Sequence, residues 1–164
     1  MGQEIKIEIV PLTEVPIETE IWPEERVPLV LVVDDEPLLA DTLAAVLATS
    51  GLAVAKAYNS HLALEIAMRK RPDLLLSDVM MPGMNGIELA MVVASELPVC
   101  KVLLFSGHAS IADLEQARGA GFDFPLLTKP MHPTEMLKRV FECLEWEPED
   151  AFGSLAAQGP QLVA

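Results

Sequence analysis

Five consecutive aliphatic residues, Leu29–Val33, run unbroken into the acidic triplet Asp34-Asp35-Glu36. A strand with one wet face alternates apolar and polar residues, whereas an unbroken run belongs to a strand covered on both faces. Such cover is typical of parallel sheets, whose crossover helices lie above and below. This segment therefore demands a chain that repeats strand and helix. The repeat is present. Pro37 stands at a helix start, where its missing N–H costs nothing, and Leu39, Leu43, Val46 and Leu47 recur at helical spacing as far as Ser50-Gly51. Ala53–Ala57 reads as a second strand, and Asn59 or Ser60 caps a helix that Pro72 breaks. Leu74–Leu76 is a third strand, ending at Ser77-Asp78, and a turn-rich loop with Pro82, Gly83, Asn85 and Gly86 precedes a helix over Ile87–Leu97. Val102–Phe105 ends at Ser106-Gly107 and leads to a short helix over Ile111–Arg118. Phe124–Leu127 ends at Thr128-Lys129-Pro130, and the last helix opens at Pro133 or Thr134.

Five strands alternating with five helices give an α/β fold. Right-handed crossovers leave few ways to wind it, and the flavodoxin-like (βα)5 three-layer sandwich, with parallel strand order 2-1-3-4-5, is the expected one. The domain is expected to span residues 28–146. Residues 1–27 hold seven Glu against Lys6 and Arg26, with Pro11, Pro16 and Pro23, and are expected to form a flexible acidic extension. Ile5, Ile7 and Ile9 alternate there as a short strand would. Residues 147–164, with Pro148, Gly153, Gly159 and Pro160, read as a flexible tail too short for a second domain.

The chain carries 25 acidic against 11 basic residues, a formal net charge of -14. That balance speaks against a nucleic-acid partner, which needs Lys and Arg to displace counterions, and against an anionic membrane surface. No apolar run reaches the roughly 20 residues of a membrane helix. The opening MGQEIKIEIV lacks the basic start and apolar run of a signal peptide, so a cytoplasmic protein is expected. Cys100 and Cys143 belong to no CxxC or Cys/His cluster and read as small buried hydrophobes.

The chemistry lies in where the polar residues fall. Strands one, three, four and five end in Asp34-Asp35, Asp78, Ser106 and Lys129. All strands of a parallel sheet end on one edge, and ligands bind there, where the winding reverses. Groups spread over about a hundred residues thus converge on one crevice. Three carboxylates at close quarters repel one another, and a cation relieves the repulsion. All-oxygen ligands select a hard ion, and so few carboxylates leave room for waters, which suits Mg2+. Ser106 offers a hydroxyl to a phosphoryl oxygen.

The segments VLVVDDEP, LLLSDVMMPGMNGIEL, VLLFSGHA and LLTKP resemble the receiver domains of bacterial two-component response regulators, over roughly residues 28–145. The resemblance implies that Asp78 is the phosphoacceptor. It implies that Mg2+ is held by Asp35, Asp78 and the backbone carbonyl of Met80, with Asp34 acting mostly through water. Lys129 would pair with the carboxylate and then a phosphoryl oxygen, its bond to Pro130 would be cis, and Ser106 would hydrogen-bond the phosphoryl group. The implied donor is a phosphohistidine on a sensor histidine kinase or a histidine phosphotransfer protein. The implied output is an unknown downstream protein, and the chain is expected to be a signalling switch rather than an enzyme. No output domain is expected to follow.

One position departs from the family. Three residues before the lysine, where Tyr or Phe is usual, stands Leu126, so the ring that swings inward on activation is absent. Phe124, two residues earlier, would share its sheet face. Weaker coupling to Ser106 or a different readout is expected. Met80 cannot hold an attacking water, which favours a long-lived phosphate. A degenerate receiver acting as a constitutive docking module is the alternative. Leu126 speaks for it and the intact set Asp34, Asp35, Asp78, Ser106 and Lys129 against it. A flavin or nucleotide site needs a Gly- or Ser/Thr-rich anion loop after strand one, and Asp34-Asp35-Glu36 would repel a bare phosphate. A phosphatase with its nucleophile on strand one would need an Asp-x-Asp signature, which is missing.

Overall fold

The structure, a computed structural model, describes residues 26–108 and 111–146. The expected acidic extension and C-terminal tail lie outside the described residues, apart from Arg26 and Val27. The described chain runs β1 (Leu29–Val33), α1 (Pro37–Thr49), β2 (Ala53–Ala57), α2 (Ser60–Lys70), β3 (Leu74–Ser77), α3 (Gly86–Glu96), β4 (Lys101–Ser106), α4 (Ile111–Gly119), β5 (Leu126–Thr128) and α5 (Pro133–Leu144). The strands form one parallel sheet in the order β2-β1-β3-β4-β5, as the sequence predicts.

The unbroken apolar runs have the predicted cause. Successive residues of a strand point to opposite faces. Leu31, Val33, Leu75, Val102 and Leu104 enter one core with α2, α3 and Ala117 of α4. Val30, Val32, Leu74, Leu76, Leu103 and Phe105 enter a second core with α1 and α5. The layers are therefore helix, sheet, helix. At about 1.5–3 kcal/mol for each large side chain fully buried, the two cores dominate the stabilising side of the balance.

Local signals set the helix ends. Asn59 caps α2 by accepting from the Leu62 N–H at 2.8 Å. Asn85 and Glu88 form a reciprocal capping box at α3. The turn after α1 passes through Gly51 at φ 92°, in the left-handed region.

α2 ends at Lys70, with Arg71 as a left-handed cap at φ 48° directly before Pro72, as expected of a helix that the proline breaks. The ends of β3, α3, β4 and α4 fall within one residue of expectation. β5 begins at Leu126, not Phe124. The reason is Pro125, which has no N–H to offer the ladder, although its carbonyl still accepts from the Leu104 N–H at 2.9 Å. Phe124 therefore lies outside the strand, and the even-spacing argument for it does not apply. Its ring stacks on Phe122, with centroids 5.5 Å apart, and packs against the same core as Leu126.

Asp73 ties the opposite, N-terminal edge of the sheet together. Its carboxylate accepts from the Leu29 N–H at 2.7 Å and pairs with Arg26, and its carbonyl accepts from the Lys101 N–H at 2.8 Å.

Candidate functional site

Each polar strand end is set in place by its backbone. The Asp78 N–H donates to the Val33 carbonyl at 2.8 Å, so the end of β3 is pinned beside the end of β1. The Asp34 N–H donates to the Ala57 carbonyl at 3.2 Å, and the Lys129 N–H donates to the Ser106 carbonyl at 3.0 Å. The ladder thus extends one residue past several strands and aligns their polar ends on one edge.

The side chains converge as the topology requires. Asp34, Asp35 and Asp78 each offer a carboxylate oxygen, and all three oxygens lie within 4.8 Å of one another. Among the described residues this is the one group of acidic, histidine or cysteine side chains so arranged. Lys129 Nζ lies 3.0 Å from Asp34 Oδ2 and 3.4 Å from Asp78 Oδ1. The Lys129–Pro130 bond is cis. Ser106 is buried, and its hydroxyl oxygen accepts from the His108 N–H at 3.3 Å. Met80 stands two residues past Asp78 with an exposed side chain.

The three acids are not equivalent. Asp34 is 1% exposed, and both of its oxygens are engaged, one by Lys129 and the other by the Glu36 N–H at 2.9 Å. Asp35 is exposed, whereas Asp78 is 8% exposed and shares Lys129, whose Nζ lies 3.4 Å from its Oδ1. Burial pushes the Asp78 carboxyl above its ordinary value, the positive charge of Lys129 opposes this, and the negative charge of Asp34 adds to it.

A neighbour that the sequence did not disclose completes the lysine's setting. Lys129 Nζ lies 5.1 Å from the centroid of the Phe105 ring, within cation–π reach. Phe105 has the residue type of an ordinary core strand position, and no sequence signal sets it apart.

The donor set fits a hard divalent ion. It is all oxygen, and three carboxylates against one ammonium leave two negative charges at close range. The thiols take no part. Cys100 is buried as expected, and burial raises its thiol to about 11; Cys143 is only partly buried, against expectation, and its thiol is raised too. No helix among the described residues is long and apolar enough to cross a membrane.

Residues 30–141, more than half of the chain, match the family model described as the response regulator receiver domain. The chain belongs to this family. A 14.6 kDa protein of Leptolyngbya boryana is 39% identical over 124 residues, which cover 73% of this chain and 93% of that one. The probable transcriptional regulatory protein TcrX of Mycobacterium tuberculosis is 36% identical over 111 residues, or 68% of this chain and 47% of TcrX. The chain thus spans about half the length of that regulator. Among solved structures, the CheY-like receiver domain protein of Methanospirillum hungatei superposes with a TM-score of 0.69 at 26% identity, covering 73% of this chain and 95% of that one. The chemotaxis protein CheY4 of Vibrio cholerae gives 0.65 at 28% identity, covering 72% and 99%. Receiver domains of this family bind Mg2+ at an acidic pocket and interact with histidine kinases or phosphotransfer proteins. The acidic pocket is present in this chain.

Proposed function

We propose that this receiver domain accepts a phosphoryl group on Asp78, with Mg2+ held by Asp35, Asp78 and the Met80 carbonyl and steadied by Asp34. The observation that carries the reading is the convergence of Asp34, Asp35 and Asp78 with Lys129, at the edge of the sheet where the winding reverses. A carboxylate oxygen of Asp78 attacks phosphorus, the P–N bond of a donor phosphohistidine breaks, and a P–O bond to Asp78 forms. Such a transfer needs positioning and charge neutralisation more than acid–base chemistry. Lys129 lies 3.4 Å from Asp78 and neutralises charge on the transferred group. Ser106 donates its hydroxyl hydrogen to a phosphoryl oxygen. The metal supplies Lewis-acid compensation of charge when bound.

The donor is a sensor histidine kinase or a histidine phosphotransfer protein, the setting is the cytoplasm, and the output is a protein that reads the altered surface. The domain serves as a phosphoacceptor switch and not as an enzyme with a separate substrate. A docking module independent of phosphorylation is not favoured, since it has no use for a buried acid paired with a lysine beside two more carboxylates.

Acetyl phosphate with Mg2+ is expected to add one phosphoryl group per chain, read by intact mass, and EDTA is expected to prevent it. An unmodified mass under saturating donor and Mg2+ overturns the reading. The switch itself should be weakly coupled to Leu126, which is partly buried against the core on the α2, α3 and α4 side. Methyl NMR of the Leu126 side chain is expected to show the same environment with and without beryllofluoride. A large inward displacement rejects that expectation.

A further inference from the structure

The loop between β3 and α3 carries Met80, whose carbonyl is assigned to the metal above. At its base the Met81 and Gly86 N–H groups donate to the Val79 carbonyl at 3.1 and 2.9 Å, and the Met81 side chain is buried. Beyond these the loop faces water. Met80, Pro82, Gly83 and Met84 are exposed. One hydrogen bond of the described residues ties this exposed stretch to an element other than β3 and α3. The Ser60 hydroxyl, on the first residue of α2, donates to the Met84 carbonyl at 2.6 Å. Ser60 is 4% exposed, so water does not compete for this bond. Nor is Ser60 needed to cap its own helix, because Asn59 does that. The Ser60 hydroxyl therefore has one structural use here, and it is directed at the loop.

We propose that Ser60 is a positioning residue for the metal site, fixing the path of the β3–α3 loop so that the Met80 carbonyl is held ready for Mg2+. This rests on the metal reading given above. Groups that orient ligands from behind typically change metal affinity about 10–100-fold when lost. Ser60 acts four residues along the loop from Met80, so a smaller effect follows. Removal of its hydroxyl is expected to weaken Mg2+ binding about three- to tenfold.

The test is calorimetric titration of MgCl2 into the full, unphosphorylated chain, which needs no phosphoryl donor. Ser60→Ala is expected to weaken binding by that factor and Ser60→Thr, which keeps the hydroxyl, to restore most of it. Asn59→Ala damages the same helix end without touching the loop. It is expected to lower the melting temperature in EDTA and to leave the Mg2+ affinity within twofold of the parent. Equal affinities for Ser60→Ala and the parent overturn the proposal. So does an Asn59→Ala loss as large as that of Ser60→Ala, which would assign the effect to fraying of α2. If the parent chain itself fails to bind Mg2+, the metal reading falls, and this inference falls with it.

Discussion

Asp78→Asn is expected to abolish labelling by acetyl phosphate and, in EDTA, to raise the melting temperature by a few degrees. The first effect follows from chemistry, since an amide has no anionic oxygen to form an acyl phosphate. The second follows from the environment. Burial disfavours the Asp78 carboxylate most, Lys129 offsets part of that penalty, and Asp34 adds to it. A neutral isostere escapes the penalty, and Lys129 keeps its closer partner, Asp34, at 3.0 Å. The pH dependence has a definite sign. The folded form holds the Asp78 proton more tightly than the unfolded chain, so it binds more protons over the interval between the two titrations. Stability from this group is therefore lost as pH rises from its ordinary value of 3.8 through the raised folded value. Parent and variant should match at acid pH, and the parent should fall behind as pH increases. Melting curves in EDTA across pH 3–8 read this directly. A variant that melts below the parent at pH 7 would show that the Asp78–Lys129 attraction outweighs burial.

The legible part of this chain is the part governed by topology. Unbroken aliphatic runs imply a sheet covered on both faces, and a polar residue at the end of a run implies a site on one edge. Distance in sequence then ceases to matter, which is why Asp34, Asp78 and Lys129 meet across almost a hundred residues. What the sequence hides is any difference between chemically identical neighbours. Nothing in the residues themselves separates Asp34 from Asp35, and only the family resemblance does, yet one is buried with both oxygens engaged and the other faces water. Contacts between ordinary residues are equally silent. A serine opening a helix and a phenylalanine inside a strand give no sign that one grips Met84 and the other lies under Lys129. The apolar run from Phe124 to Leu127 conceals the start of β5, because Pro125, with no N–H to offer, decides that the ladder begins at Leu126.

Gly86→Ala is expected to cost about 3 kcal/mol or more of stability and to depress phosphoryl acceptance together with it. The glycine is buried at the first position of α3, and its N–H donates to the Val79 carbonyl at 2.9 Å. A Cβ there would overlap the Asp78 carbonyl oxygen and would lie 2.7 Å from the carbonyl carbon and 2.9 Å from Val79 Cα. These are backbone atoms, so no side-chain rotation relieves the clash. The same Asp78 carbonyl also accepts from the Ser77 hydroxyl at 2.9 Å. Either α3 retreats from the sheet or the Asp78 peptide tilts, and a tilt moves the acceptor relative to Lys129. Two other glycines separate this cause from generic glycine effects. Gly83 has open space but φ +75°, so Gly83→Ala should cost about 1 kcal/mol through backbone strain alone. Gly107 has only Lys129 Cβ at 3.8 Å, an ordinary contact, so Gly107→Ala should be near neutral. Urea unfolding of the three variants in EDTA orders them. A Gly86→Ala midpoint close to that of Gly107→Ala would mean that α3 can move off the Asp78 peptide freely, and that the acceptor is not held by the helix beneath it.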